Sequence, residues 1–263
     1  MDQLWLRQKR LVVIGGTTGI GLSAALAFAM QGAKVVVVGR DPESVRKASS
    51  QLNENGIAEV GDGTHADTAA KAILTCQKNF GGFDGLYHVA GGSGRKFGDG
   101  PLHEMTLEGW NHTLTLNLTS LMLSNQAAIK TFLTQKTPGC ILNMGSVLGY
   151  SPSPRYFSTH AYAATKSAVI GFSKSIASYY AKNNIRINVL APGLVDTPMA
   201  QRAALDEGIM NFIQTKQPVD GGRIGQPRDL DGAAVYFMSD FSKFATGQVL
   251  TVDGGWSISE GQY

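Results

Sequence analysis

The chain has 263 residues, 43% hydrophobic and 16% charged, a balance that allows one large α/β domain and excludes a disordered chain. Its formal charge is only +3, with Arg7, Lys9 and Arg10 the densest basic group, so there is no basic stripe for nucleic acid. Two cysteines far apart, Cys76 and Cys140, with no CxxC and no apolar stretch of membrane-spanning length, fit a reduced, cytoplasmic compartment.

The first apolar run, Leu11–Ile14, is too short for a secretory signal and reads as a strand. It runs into LVVIGGTTGIG, with glycines at Gly15, Gly19 and Gly21, and then a helix over Ser23–Met30. Gly15 permits a tight turn, Gly19 lets backbone approach a pyrophosphate, and Gly21 lets the helix pack on the strand. The helix N-terminus offers free N–H groups to phosphates. An ordinary Gly-rich strand-to-helix turn has the same composition, so this motif needs company. The next strand, Lys34–Val38, ends in Gly39-Arg40-Asp41. An acid at that strand end would bond a ribose 2′-OH. Here Gly39 leaves space, and the planar guanidinium of Arg40 suits a 2′-phosphate. In the alternative, Arg40 is a solvated loop residue and Asp41 caps the helix after Pro42.

A helix over Ser44–Asn53, a weak strand near Ile57–Val60 and a helix over Ala69–Asn79 follow. Strand Gly85–Val89 leads to a long helical stretch, Leu107–Leu133. Strand Cys140–Met144, a helix near Ala161–Ala181 and strand Ile185–Leu190 come next. The irregular stretch 198–226, with a helix over Gln201–Gln214, reads as a substrate lid. Leu230, Ala233, Ala234, Phe237 and Met238 form one apolar stripe before the last strand, Gln248–Val252. The apolar runs are continuous, as for strands covered on both faces. The alternation implies right-handed βαβ crossovers. The expected fold is α/β, a single domain over 1–263: a doubly wound, Rossmann-type parallel sheet of about seven strands with helices on both faces.

Tyr162 and Lys166, in YAATK, are four residues apart and share a helix face. A nearby ammonium favours a phenolate, so Tyr162 can give a proton to a carbonyl oxygen or take one from an alcohol. Ser146 ends the fifth strand in NMGS, where it can bond an oxygen that gains charge. The GxxxGxG turn, Asp62 after the third strand and Asn117 in LNLTS accompany them. So do RINVLAPG over Arg186–Gly193, Asp196–Thr197, and the closing GQVLTVDGG. In this order the motifs resemble the classical short-chain dehydrogenase/reductase family over nearly the whole chain, with members such as 3-oxoacyl-carrier-protein reductases, sugar dehydrogenases and steroid dehydrogenases.

The resemblance implies hydride transfer between a nicotinamide dinucleotide and a carbonyl or secondary alcohol. It gives Tyr162 the acid/base role, Lys166 the nicotinamide ribose, Ser146 the substrate oxygen, and Asn117 a water linking Lys166 to solvent. Cofactor contacts are implied for Gly15, Thr17, Thr18, Gly19, Ile20, Gly21, Arg40, Asp62 and Gly63. They are also implied for Ala90, Gly91, Asn117, Tyr162, Lys166, Pro192, Gly193, Val195 and Thr197. The Gly39-Arg40 pattern favours NADP(H), with NAD(H) open, since Thr17 and Thr18 fill a place where many NADP-using relatives carry a basic residue. No metal, membrane or nucleic-acid partner is expected. A homotetramer built on the two long helices is implied.

The chain departs from the family at His88-Val89-Ala90-Gly91, where an Asn-Asn-Ala-Gly is usual. His88 either replaces the missing polar tie or is a core histidine bonded to backbone. The segment Tyr150–His160 is longer than usual, and either shapes an apolar or aromatic pocket or is a surface insertion. His160, two residues from Tyr162, does not face it. Arg95 either meets an acidic substrate or is a solvated charge. The rival function is a catalytically silent redox sensor or a structural subunit. Such a chain would be expected to have lost Ser146, Tyr162 or Lys166, and all three are present. Substrate identity is left to Arg95, Leu194, the 150–160 and 198–226 segments and 256–263.

Overall fold

The computed structural model describes residues 4–261, so the last two residues of the 256–263 segment lie outside it. Seven strands are present: β1 (Arg10–Ile14), β2 (Lys34–Gly39), β3 (Gly56–Val60), β4 (Gly85–His88), β5 (Gly139–Met144), β6 (Ile185–Pro192) and β7 (Val249–Val252). All pairings are parallel, in the order β3-β2-β1-β4-β5-β6-β7. The expected doubly wound sheet is therefore the one found.

Both faces of the sheet are covered, which explains the continuous apolar runs. In β1, Leu11 and Val13 point into one core with Phe28, Ala234 and Phe237, while Val12 and Ile14 point into the other with Ile73, Ala128 and Phe132. Val35 to Val38 are at most 2% exposed, and burying each such side chain contributes roughly 1.5–3 kcal/mol. The first face is packed by α1 (Gly19–Met30) and α9 (Asp231–Met238), with α2 (Pro42–Leu52) beside them. The second is packed by α3 (Thr68–Phe80), α5 (Ser120–Gln135) and α6 (His160–Tyr180).

Two helical stretches differ from expectation. The long 107–133 helix divides into α4 (Leu107–Leu114), a π-helical turn over Thr115–Thr119 and α5. The 201–214 helix breaks into α7 (Gln201–Ala204) and α8 (Glu207–Lys216), because the Asp206 carboxylate accepts from Ile209 N at 2.9 Å and starts a new helix. The chain leaves β3 and returns to the sheet at β4, beside β1. That reversal opens a crevice at the carboxyl ends of β1 and β4, where such sheets bind ligands.

Candidate active site

The glycine turn is built against the ends of β2 and β4. Gly15 N and Gly16 N both donate to Val38 O, at 2.9 and 3.0 Å. Gly15 has φ +82°, and a Cβ there would lie 2.6 Å from Ala90 N. A Cβ on Gly21 would lie 2.0 Å from Gly15 O, so α1 starts hard against the turn that feeds it. Thr18 heads α1 in extended backbone and makes no side-chain cap, so its hydroxyl leaves the first-turn N–H groups free. Ile20 follows, half-buried. A Cβ on Gly19 would lie 3.2 Å from Thr197 Cγ2, which places the turn beside the chain that leaves β6.

Gly39 does not leave the space expected of it. A Cβ there would lie 1.9 Å from Thr17 Oγ1, and Thr17 is itself buried. The position of a ribose-binding acid is thus filled by a threonine hydroxyl. Arg40 is exposed at the strand tip, and Asp41 caps α2 through Ser44 N at 2.9 Å. Asp62 accepts from the backbone N and hydroxyl of Thr64, at 2.9 and 2.8 Å. Burial opposes its ionisation, but those bonds and the charge of Arg40 hold the carboxyl below its ordinary range. A cleft of about 470 Å³ opens here, lined by Val38, Val60, Gly61, Asp62, His65 and Lys71. A Cβ on Gly63 would lie 3.2 Å from Ile14 and 3.6 Å from Ala90, which joins this cleft to the β4 end.

His88 is 1% exposed and lies 3.4 Å from Ser120 Oγ through Nε2, while its Nδ1 has no partner. It is a core histidine, near the Ser120 hydroxyl and the backbone of Ala90. Burial, and then the charge of Lys166, push its imidazole down to about 3, so it is neutral at physiological pH. Asn117 sits in the π-helical turn. It accepts from Gly92 N at 3.0 Å and donates to Gly92 O and Thr113 O at 2.8 and 2.9 Å. Both amide hydrogens are spent on protein carbonyls, so the side chain pins the chain after β4 and keeps a single lone pair of Oδ1 for any water. A Cβ on Gly91 would lie 2.7 Å from Asn117 Oδ1 and 3.7 Å from Lys166 Nζ.

Ser146, Tyr162 and Lys166 come together at the ends of β5 and α6. Lys166 Nζ donates to Met144 O at 2.9 Å and lies 5.4 Å from the Tyr162 ring centroid. Ser146 is buried and accepts from Leu148 N at 3.2 Å. Burial pushes the Tyr162 phenol up to about 12, and Ser146 is the partner that pulls it back. Burial pulls Lys166 down to about 8. In the protein alone the phenol is thus held protonated, against the phenolate the i, i+4 spacing suggested.

Past β6, Val195 and Asp196 bridge to Gly225, and Thr197 is half-buried. Gly193 N donates to Val252 O at 3.2 Å, and Leu194 is held by Gln217, which is 2% exposed and accepts from Leu194 N at 2.6 Å. The 150–160 segment is not a free insertion. Tyr156 and Phe157 pack with Phe212 of α8 and Trp256, at centroid distances of 5.1 and 5.6 Å. Arg95 is half-buried rather than fully solvated and donates to Tyr156 O at 3.3 Å. His160 is exposed.

Sequence reasoning missed Gln217 and Asp99. Each bonds backbone far away in the chain, and no local motif announces it. Among the described residues no cluster of His, Cys, Asp or Glu could hold a metal ion, and no helix is long and apolar enough to cross a membrane.

A family model described as enoyl-(acyl carrier protein) reductase matches residues 15–257. The chain is 33% identical to the 3-oxoacyl-[acyl-carrier-protein] reductase FabG of Chlamydia trachomatis serovar D, covering 95% of this chain and 98% of that protein. It is 33% identical to the gluconate 5-dehydrogenase of Gluconobacter oxydans, covering 98% of each. A crystal structure of a short-chain type dehydrogenase/reductase from Mycobacterium marinum superposes with a TM-score of 0.88 at 26% identity, covering 98% of each chain.

Proposed function

The chain belongs to the short-chain dehydrogenase/reductase family, and on that premise we propose that it is an NADP(H)-preferring oxidoreductase that interconverts a carbonyl and a secondary alcohol at Tyr162. The observation that carries this reading is the cradle of side-chain-free positions. A Cβ on Gly15 would collide with Ala90 N and one on Gly91 with Asn117 Oδ1, while Gly19 sits tightly against Thr197, so the glycine turn, the chain after β4 and the chain after β6 meet closely at the carboxyl ends of the strands. Gly91 in turn stands beside Lys166, the neighbour of Ser146 and Tyr162. The residues present fit a dinucleotide. Asp62 and Gly63 would meet the adenosine and Arg40 a 2′-phosphate. Thr17, Thr18 and Ile20 would line the pyrophosphate, and Pro192, Gly193, Val195 and Thr197 the nicotinamide.

When bound, the nicotinamide supplies or accepts a hydride at the substrate carbon. In the reducing direction Tyr162 would give its phenolic proton to the carbonyl oxygen that becomes the alcohol hydroxyl. Ser146 bonds the same oxygen as charge develops on it. Lys166 would hold the ribose, and its charge lowers the cost of the phenolate left on Tyr162. Asn117 fixes the Gly92 edge of the crevice. The 198–226 stretch, with Tyr156 and Phe157 against it, closes over the substrate, and the whole acts as one domain. A homotetramer built on α4–α5 and α6, in the cytoplasm, completes the reading.

Thermal melting with NADPH, NADH, NADP and NAD at matched concentration tests the cofactor reading, because a ligand of the folded state alone raises the melting temperature. The phosphorylated pair is expected to stabilise more. Larger shifts with NAD and NADH would move the reading to NAD(H), and no shift with any would overturn it.

A further inference from the structure

Tyr162 lies in the first turn of α6, where backbone N–H groups have no partner within the helix. Thr159, at the head of the helix, makes no side-chain cap. The acceptors come from the loop after β4 instead. Gly100 O accepts from His160 N at 3.4 Å. Asp99 Oδ1 accepts from Ala161 N and Asp99 Oδ2 from Tyr162 N, each at 3.0 Å. Three successive amides are thus capped by two adjacent residues, and one carboxylate holds the amide of Tyr162 itself.

This carboxylate is 3% exposed and firmly held. Asp99 N donates to Gly94 O at 3.1 Å. A Cβ on Gly109 of α4 would lie 2.6 Å from Asp99 N, so helix and loop meet backbone to backbone. The same loop begins at Gly91 and Gly92, which Asn117 pins beside Lys166. An ordinary N-cap belongs to its own helix and moves with it. A cap supplied by another element fixes the helix relative to that element. The negative charge also meets the positive end of the helix dipole.

We propose that Asp99 is a positioning residue of the reaction, setting the place of the Tyr162 phenol against Ser146 and the Gly91–Gly92 edge of the nucleotide crevice. The assignment rests on the oxidoreductase reading above. Misplacement of a reacting group by about 1 Å costs up to about a hundredfold in rate, so the variants should be felt in kcat.

The test uses the full chain, with NADPH- or NADH-dependent carbonyl reduction and nucleotide melting shifts measured side by side. Asp99→Ala removes both acceptors and is expected to lower kcat between about tenfold and a hundredfold. KM and the nucleotide shift should change less than about twofold, since the crevice itself is untouched. Asp99→Asn keeps the size and one acceptor oxygen and is the variant least exposed to misfolding. It should fall between parent and alanine variant, again with the parental nucleotide shift. Hydrogen exchange should quicken at the Ala161 and Tyr162 amides and stay unchanged in the middle of α6. Parental kcat in Asp99→Ala, or a nucleotide shift in Asp99→Asn that falls in step with kcat, would overturn the assignment. A parent protein that binds nucleotide but moves no hydride would instead overturn the oxidoreductase reading.

Discussion

At Tyr162 burial raises the phenol to about 12, and at Lys166 burial lowers the ammonium to about 8. A protonated phenol is the form that reduces a carbonyl, so reduction is served by the protein as it stands at neutral pH. Alcohol oxidation needs the phenolate and should gain with rising pH. His88 makes a separate residue-scale claim. Its imidazole is held near 3, whereas a histidine in the unfolded chain titrates near 6.5. Between those values the unfolded chain binds a proton that the folded chain refuses. The stability contributed by neutral His88 is therefore complete above pH ~6.5 and is lost as pH falls towards the folded value. Melting curves across that window should show a steep acid loss in the parent and a shallower one in His88→Asn. Equal slopes would remove His88 from the account. Arg40 is exposed, and its replacement is expected to leave the fold intact. Arg40→Ala should weaken NADPH far more than NADH in a direct titration, by about tenfold for a lost charge-assisted contact. Equal losses for the two nucleotides would take Arg40 out of the phosphate site.

At the scale of elements, the end of β2 and the glycine turn behave as one unit, because Thr17 occupies the volume that a side chain at position 39 would need. Gly39→Asp alone is therefore expected to weaken every nucleotide and to lower the melting temperature. The companion change Thr17→Gly should relieve the clash and let the new acid favour NADH over NADPH. A single Gly39→Asp variant that is stable and prefers NADH would contradict the packing described. This element also shows where the sequence stops being readable. Gly39 and Arg40 were visible as a strand-end pattern, but the filling of that space by a residue of another loop is a tertiary fact. The i, i+4 spacing of Tyr162 and Lys166 and the strand-end place of Ser146 were legible as a shared helix face and a strand end, while grouping them as one site came from the order of motifs and the family resemblance. The break at Asp206 and the π-helical turn at Asn117 were not, because hydrophobic periodicity continues through both.

For the whole molecule, continuous apolar strands alternating with helical stripes were enough to give a parallel sheet covered on both faces. The crevice at the β1–β4 reversal followed from that topology. What the alternation could not supply was the set of long-range ties that shape the crevice: Asp99 to the Tyr162 amide, Gln217 to Leu194, and Arg95 to Tyr156. Each links segments that sit far apart in sequence, so no window of residues contains both partners. These ties join the β4 loop to the start of α6 and to the 150–160 segment, and the chain after β6 to the 198–226 stretch.

The most direct test of that arrangement is the loss of reduced-nicotinamide absorbance with a panel of ketones and 3-oxoacyl thioesters, run on the parent protein and on Tyr162→Phe. The parent is expected to consume NADPH with at least one carbonyl. Tyr162→Phe should lose at least about a hundredfold in rate, as expected for a missing general acid, while keeping the melting shift given by the nucleotide. A phenylalanine variant that turns over at the parental rate would contradict the central claim.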